Sequence, residues 1–81
     1  MALIHLLPGE IYSHAHDVVS TSSAVAGDVE ITMQGETYSL TPTTVLVPAY
    51  TVHVLHNVGD TVASIACGGY GVEDDAGQDV V

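Results

Sequence analysis

The sequence predicts a small all-β protein closed as a barrel or jelly roll, and three observations predict it. Apolar and polar residues alternate with period two over short runs. Turn residues recur between those runs. No long stretch carries the 3.6-residue apolar spacing of a helix, whereas Val and Thr, which suit a pleated surface, are abundant.

The elements follow in order. Leu3–Leu7 is the first apolar run, closed by Pro8-Gly9. Ile11–His16 alternates, with Tyr12, His14 and His16 on one face and Ile11, Ser13 and Ala15 on the other. Ser20–Ala26 is a small, polar extended segment. Val29–Met33 turns Val29, Ile31 and Met33 one way and Glu30 and Thr32 the other. Gln34-Gly35 supplies a tight hairpin turn, because Gly accepts positive φ, and Tyr38–Leu40 returns. Thr44–Val47 and Thr51–Asn57 form a further pair broken by Pro48, which cannot donate to a ladder. Gly59-Asp60 turns the chain into Val62–Cys67, the last strand. Residues 1–72 are expected to form the one domain. Residues 73–81, which hold Glu73, Asp74, Asp75 and Asp79, are expected to form an acidic tail.

Composition narrows the function. The chain has no Lys or Arg against ten acidic residues, a formal charge of −10, which argues against nucleic acid and anionic membrane as partners. No apolar run reaches the roughly 20 residues of a spanning helix, and the opening MALIHLLPGE lacks the positive start of a signal peptide. The cytoplasm is therefore the expected location. The apolar fraction is 47% and the mean hydropathy +0.38. That excess, in a chain too small to bury it alone, predicts a homodimer with Leu3–Leu7 as the pairing edge. One cysteine, Cys67, forms no internal disulfide, so stability falls to a metal or a partner subunit.

Five histidines point to the metal. A two-residue spacing on a strand puts His14 and His16 on one face, near enough to share an ion. His53 follows about forty residues later, in parity with Leu55 and Asn57, while His56 has the opposite parity. Imidazole suits Zn, Fe, Ni and Cu, and three such ligands leave open positions on the ion. A His-x-His pair also suits a plain solvent-facing strand, and both readings stand at this point.

Two ordered motifs carry a family resemblance. Gly9, His14-Ala15-His16 and Gly27 follow a pattern of Gly, about five residues, His-x-His and a later Gly, with Gly9 one residue nearer the His pair than the pattern has it. Pro48-Ala49-Tyr50, His53 and Asn57 match a second pattern of Pro-x-Gly, two residues, His, three residues and Asn. Over residues 9–67 the chain resembles the cupin superfamily, and the resemblance implies a double-stranded β-helix, or jelly-roll barrel, with a metal held by His14, His16 and His53. The family's glutamate ligand would fall near Ser20 or Thr21, so the chain resembles the three-histidine cupins, which include thiol and diketone dioxygenases. A degenerate cupin that binds no metal is the other reading. Pro42 stands where the second motif opens with Gly. Tyr50 stands where Pro-x-Gly ends, and is expected either to distort that turn or to project at the barrel mouth.

Three neutral ligands leave a divalent ion its full positive charge, so the expected ligand is a small anionic or chelating molecule. Fe(II) is the expected metal, with Zn, Ni, Mn or Cu as alternatives. Apolar residues on inward parity, Val29, Ile31, Met33, Tyr38, Leu40 and Leu55, are the candidate substrate pocket. Tyr12, in parity with His14 and His16, is the candidate catalytic or positioning residue, against the plainer role of a barrel-filling aromatic. The resemblance therefore implies a metal-dependent dioxygenase or lyase, or a non-catalytic ligand-binding or sensory cupin; the apolar excess adds a third reading, a subunit whose apolar surface serves assembly.

Overall fold

The computed structural model describes residues 2–41 and 43–69, so the 72/73 boundary, the acidic tail and Pro42 lie outside the described residues. The described residues form eight strands and no helix: β1 Ala2–Leu6, β2 Ile11–His14, β3 Ser20–Ala26, β4 Val29–Met33, β5 Glu36–Ser39, β6 Val45–Val47, β7 His53–Asn57 and β8 Ala63–Gly69. No helix among them is long and apolar enough to cross a membrane.

Two antiparallel four-stranded sheets result, ordered β1-β8-β3-β6 and β2-β7-β4-β5. Only β4 and β5 are joined within a sheet; the other connections pass from one sheet to the other. The β4–β5 hairpin turns on Gln34 (φ 52°) and Gly35 (φ 79°), two successive positive φ values that match the right-handed twist of the flanking strands. Gly27 is required twice over. Its φ is 84°, and a Cβ there would lie 2.8 Å from Ala63 Cβ.

The alternation of each strand sets the core between the sheets. Leu6, Val29, Ile31, Leu40, Val47, Leu55, Ala63, Ile65 and Cys67 pack there, fully buried, with Ile4, Ala24, Met33 and Val45 against them. Asn57 is the buried polar group that ties the layers at one end. Its Nδ2 donates to the carbonyls of Leu6 (3.0 Å) and Thr61 (2.8 Å), and its Oδ1 accepts from Gly59 N–H (2.9 Å).

One strand departs from expectation where it matters most. The run Ile11–His16 is strand only to His14. Continued alternation would carry Ala15 to the outer face. Instead His14, Ala15 and His16 are all buried: the regular strand ends at His14, and His16 keeps only an isolated bridge.

Candidate metal centre

His14 and His53 are cross-strand partners in the register of β2 and β7, so both imidazoles leave the same sheet on its inner face. Met33 of β4 is the neighbour of His53 on the other side. His16 reaches the same place from the connection after β2. Its carbonyl accepts from Tyr50 N–H at 2.7 Å, which ties that connection to the turn between β6 and β7. Tyr50 holds φ at 57°, the left-handed region that glycine enters without strain, and its side chain is 70% exposed. The backbone at Tyr50 thus takes a conformation that glycine favours, and the ring projects outward.

The three rings pack against one another inside the sandwich. Ring centroids stand 4.1 Å apart for His14 and His53, 4.4 Å for His14 and His16, and 5.4 Å for His16 and His53. Relative exposures are 1%, 6% and 0% for His14, His16 and His53. One ligand nitrogen from each lies within 4.8 Å of the others, so the cluster could hold a metal ion. Imidazole nitrogens sharing an ion at about 2.1 Å stand about 3–3.4 Å apart. The rings would have to close by up to about 1.5 Å to share an ion, and the donor set of three imidazoles fits a divalent transition metal.

Hydrogen bonding orients one ligand. His53 Nδ1 lies 3.1 Å from the carbonyl of Thr51. A carbonyl only accepts, so Nδ1 carries the proton and the ring lone pair sits on Nε2. Tyr12 lies edge-on to His14, with centroids 4.6 Å apart and planes at 69°. His56 leaves β7 on the opposite face from His53 and takes no part in the cluster. His5 lies on β1, where its Nδ1 meets Ser64 Oγ at 2.9 Å. Cys67 is buried in the core, with Ser22 Oγ 3.9 Å from its sulfur.

Of the candidate pocket residues, Val29, Ile31, Leu40 and Leu55 are packed core and Met33 is partly buried against it. Tyr38 pairs with Ile31 but sits on the sheet edge β5, exposed, with its hydroxyl donating to Glu36 Oε2 at 3.4 Å. Among the described residues the six enclose no cavity. Two features of the site escape a reading of the sequence. The Thr51 carbonyl is backbone and carries no signal. Ser20, marked only as a position lacking the family's carboxylate, is an inward-facing residue of β3 with 1% exposure.

Fold and cluster together define a small two-sheet β protein with a three-histidine centre able to hold a metal ion. No protein-family model matches the chain, and no curated protein matches it. Among solved structures it is similar to the TT1209 protein of Thermus thermophilus, with a TM-score of 0.69 and 26% identity. The match covers 80% of this chain and 65% of that one, so the chain spans just under two thirds of that relative's length.

Proposed function

We propose that the chain is a three-histidine metal-binding cupin, an Fe(II)-type dioxygenase or lyase acting on a small anionic or chelating molecule. The observation that carries this reading is the convergence of His14, His16 and His53, from separate places in the chain, with one nitrogen each inside 4.8 Å. The order of the two motifs and the repeated passage of the chain between sheets support the jelly-roll assignment.

Fe(II) in such a centre supplies oxygen activation, whereas Zn(II) supplies Lewis-acid polarisation alone. The residues around it do the rest. Thr51 holds the His53 ring in one tautomer. Tyr12 braces the edge of His14. The packed apolar core beneath the cluster keeps bulk water from the imidazoles and strengthens electrostatic contacts there. With no Lys or Arg in the chain, the ion is the one strong positive centre available to an anionic substrate.

Metal analysis of protein purified without a histidine tag, followed by oxygen uptake with diketones and thiols, tests the reading. Fe(II)-dependent uptake lost on chelation is the expected result. Equal binding of anionic chelators to metal-free and metal-loaded protein sinks it. A second reading, a ligand-binding or sensory cupin without turnover, draws on the depth of the cluster and the lack of a cavity among the described residues. Saturable ligand binding with no product favours that alternative.

A further inference from the structure

We infer that Ser20 Oγ is the hydrogen-bond donor to the anion that shares the metal ion with the three histidines. The inference rests on the metal reading above and deepens it.

Ser20 opens β3, four residues after His16 and on the sheet opposite His14 and His53. Its register partner on β6 is Val47, and the short connection from Val47 leads to Tyr50, whose N–H is bonded to the His16 carbonyl. Ser20 and His16 are thereby tied to one end of the sandwich, and both turn their side chains to the interior, with 1% and 6% exposure. Ser20 Oγ is buried and has no hydrogen-bond partner among the described residues.

Its neighbours on β3 fare differently. Thr21 Oγ1 donates to the Gly68 carbonyl, and buried Ser22 Oγ contacts Cys67 Sγ. A buried hydroxyl without a partner is costly, and alanine would fill the same space without that penalty. A ligand that accepts from Ser20 removes it. The chain has no Lys or Arg, so an anion at the histidine cluster must find its side-chain donors among neutral groups. Among the described residues Ser20 is the one such group placed inward from the facing sheet with its donor unspent.

The test loads wild type, Ser20→Ala and Ser22→Ala with Co(II) and titrates azide, following the visible spectrum. Ser20→Ala is expected to weaken azide binding about tenfold or more, the size of a hydrogen bond to a charged group, and to leave Co(II) affinity within about threefold. Ser22→Ala, equally buried on the same strand, is expected to change neither. Metal-free Ser20→Ala is expected to melt at or above wild type. Equal azide affinity in Ser20→Ala and wild type overturns the inference while the metal reading stands. So does a loss of Co(II) affinity with azide binding intact, which would make Ser20 a ligand. Failure of Ser20→Ala to fold would make the hydroxyl structural and also overturns it. Failure of wild type to bind Co(II) overturns both readings at the loading step, before azide is added.

Discussion

The backbone N–H of Tyr50 donates to the carbonyl of His16 at 2.7 Å, so a residue in the left-handed region anchors the one histidine of the cluster that lies outside a strand. A left-handed conformation costs an L-residue about 1–2 kcal/mol. Glycine avoids that strain but loses about 0.5–1 kcal/mol through the freedom of the unfolded chain. Tyr50→Gly is therefore expected to leave stability unchanged or raise it by up to about 1.5 kcal/mol. Tyr50→Pro fixes φ near −65° and removes the N–H. It is expected to release His16 and weaken metal binding roughly 10–100-fold, as loss of an outer-shell contact does. Calorimetric titration with Zn(II) and thermal melts of both variants check the pair. Intact metal affinity in Tyr50→Pro would show that the hydrogen bond is dispensable.

Binding to the native state alone stabilises it, by about 2.7 kcal/mol at a metal concentration one hundred times Kd. For a domain of this size that is a rise of roughly 10–20 °C in melting temperature. Wild type is expected to show the rise and to lose it on chelation. His14→Ala, His16→Ala and His53→Ala are expected to show little of it. His56→Ala should behave as wild type, because His56 leaves β7 on the other face. An effect of His56→Ala as large as that of His53→Ala would contradict the strand register.

His53 and Asn57 belong to one sequence motif but serve opposite ends of β7, about 13 Å apart at strand rise. Asn57 makes three hydrogen bonds in the core. Asn57→Ala is expected to cost about 1–3 kcal/mol, since it leaves the buried Leu6 carbonyl without its partner and removes two part-buried bonds, to Thr61 and Gly59. Asn57→Asp should be worse, because a carboxylate cannot donate to the Leu6 and Thr61 carbonyls. Denaturant midpoints measure the loss. Metal affinity measured well below the midpoint should not change, which separates the fold role from the site.

The sheet β1-β8-β3-β6 carries no acidic residue, while Glu30 and Glu36 lie on β4 and β5 of the other sheet. In a chain of charge −10, an uncharged face is where a second copy meets the least local repulsion. Ala66 sits on it between Leu3 and Ser23, with Leu3 and Leu46 exposed on the flanking strands. A homodimer through this face is expected at micromolar concentration, tightening as salt screens the net charge. Ala66→Glu is expected to give monomers. Sedimentation that shows a dimer surviving this change would move the contact to the β1 edge, and monomer alone in wild type would exclude it.

Much of this was legible in the residues. Pro8-Gly9, Gln34-Gly35 and Gly59-Asp60 mark turns, and period-two alternation locates the strands to within two residues at most ends. Parity places His14 and His53 each on an inward face; that the two meet depends on β2 pairing with β7, whereas the sequence suggests that Thr51–Asn57 pairs with Thr44–Val47. What alternation hides is where a strand stops. His-Ala-His reads as three more strand residues, yet the regular strand ends at His14, and Ala15 is buried instead of exposed. Inward parity likewise does not tell a core residue from a pocket residue. Val29, Ile31, Leu40 and Leu55 have the parity expected of either, and only packing shows that they fill the interior.

The same limit applies to Ser20 and Thr21, adjacent in sequence and equally good places for a missing carboxylate. The register separates them. Ser20 turns inward and is buried, whereas Thr21 turns its hydroxyl to the Gly68 carbonyl. Ser20→Glu is therefore expected to add a carboxylate to the centre, raising metal affinity at least about tenfold, since a charged ligand joins three neutral ones. Before metal is added, that carboxylate is buried without a cation, so the metal-free variant should melt below wild type and recover on loading. The added negative charge lowers the charge of the loaded centre and should weaken azide binding. Thr21→Glu points away from the cluster and should leave metal affinity within about twofold of wild type, a difference of under 0.5 kcal/mol. Paired titrations of the two variants decide the matter. Equal tightening by both would mean that β3 enters the interior one residue out of the register described, and the placement of Ser20 would fall with it.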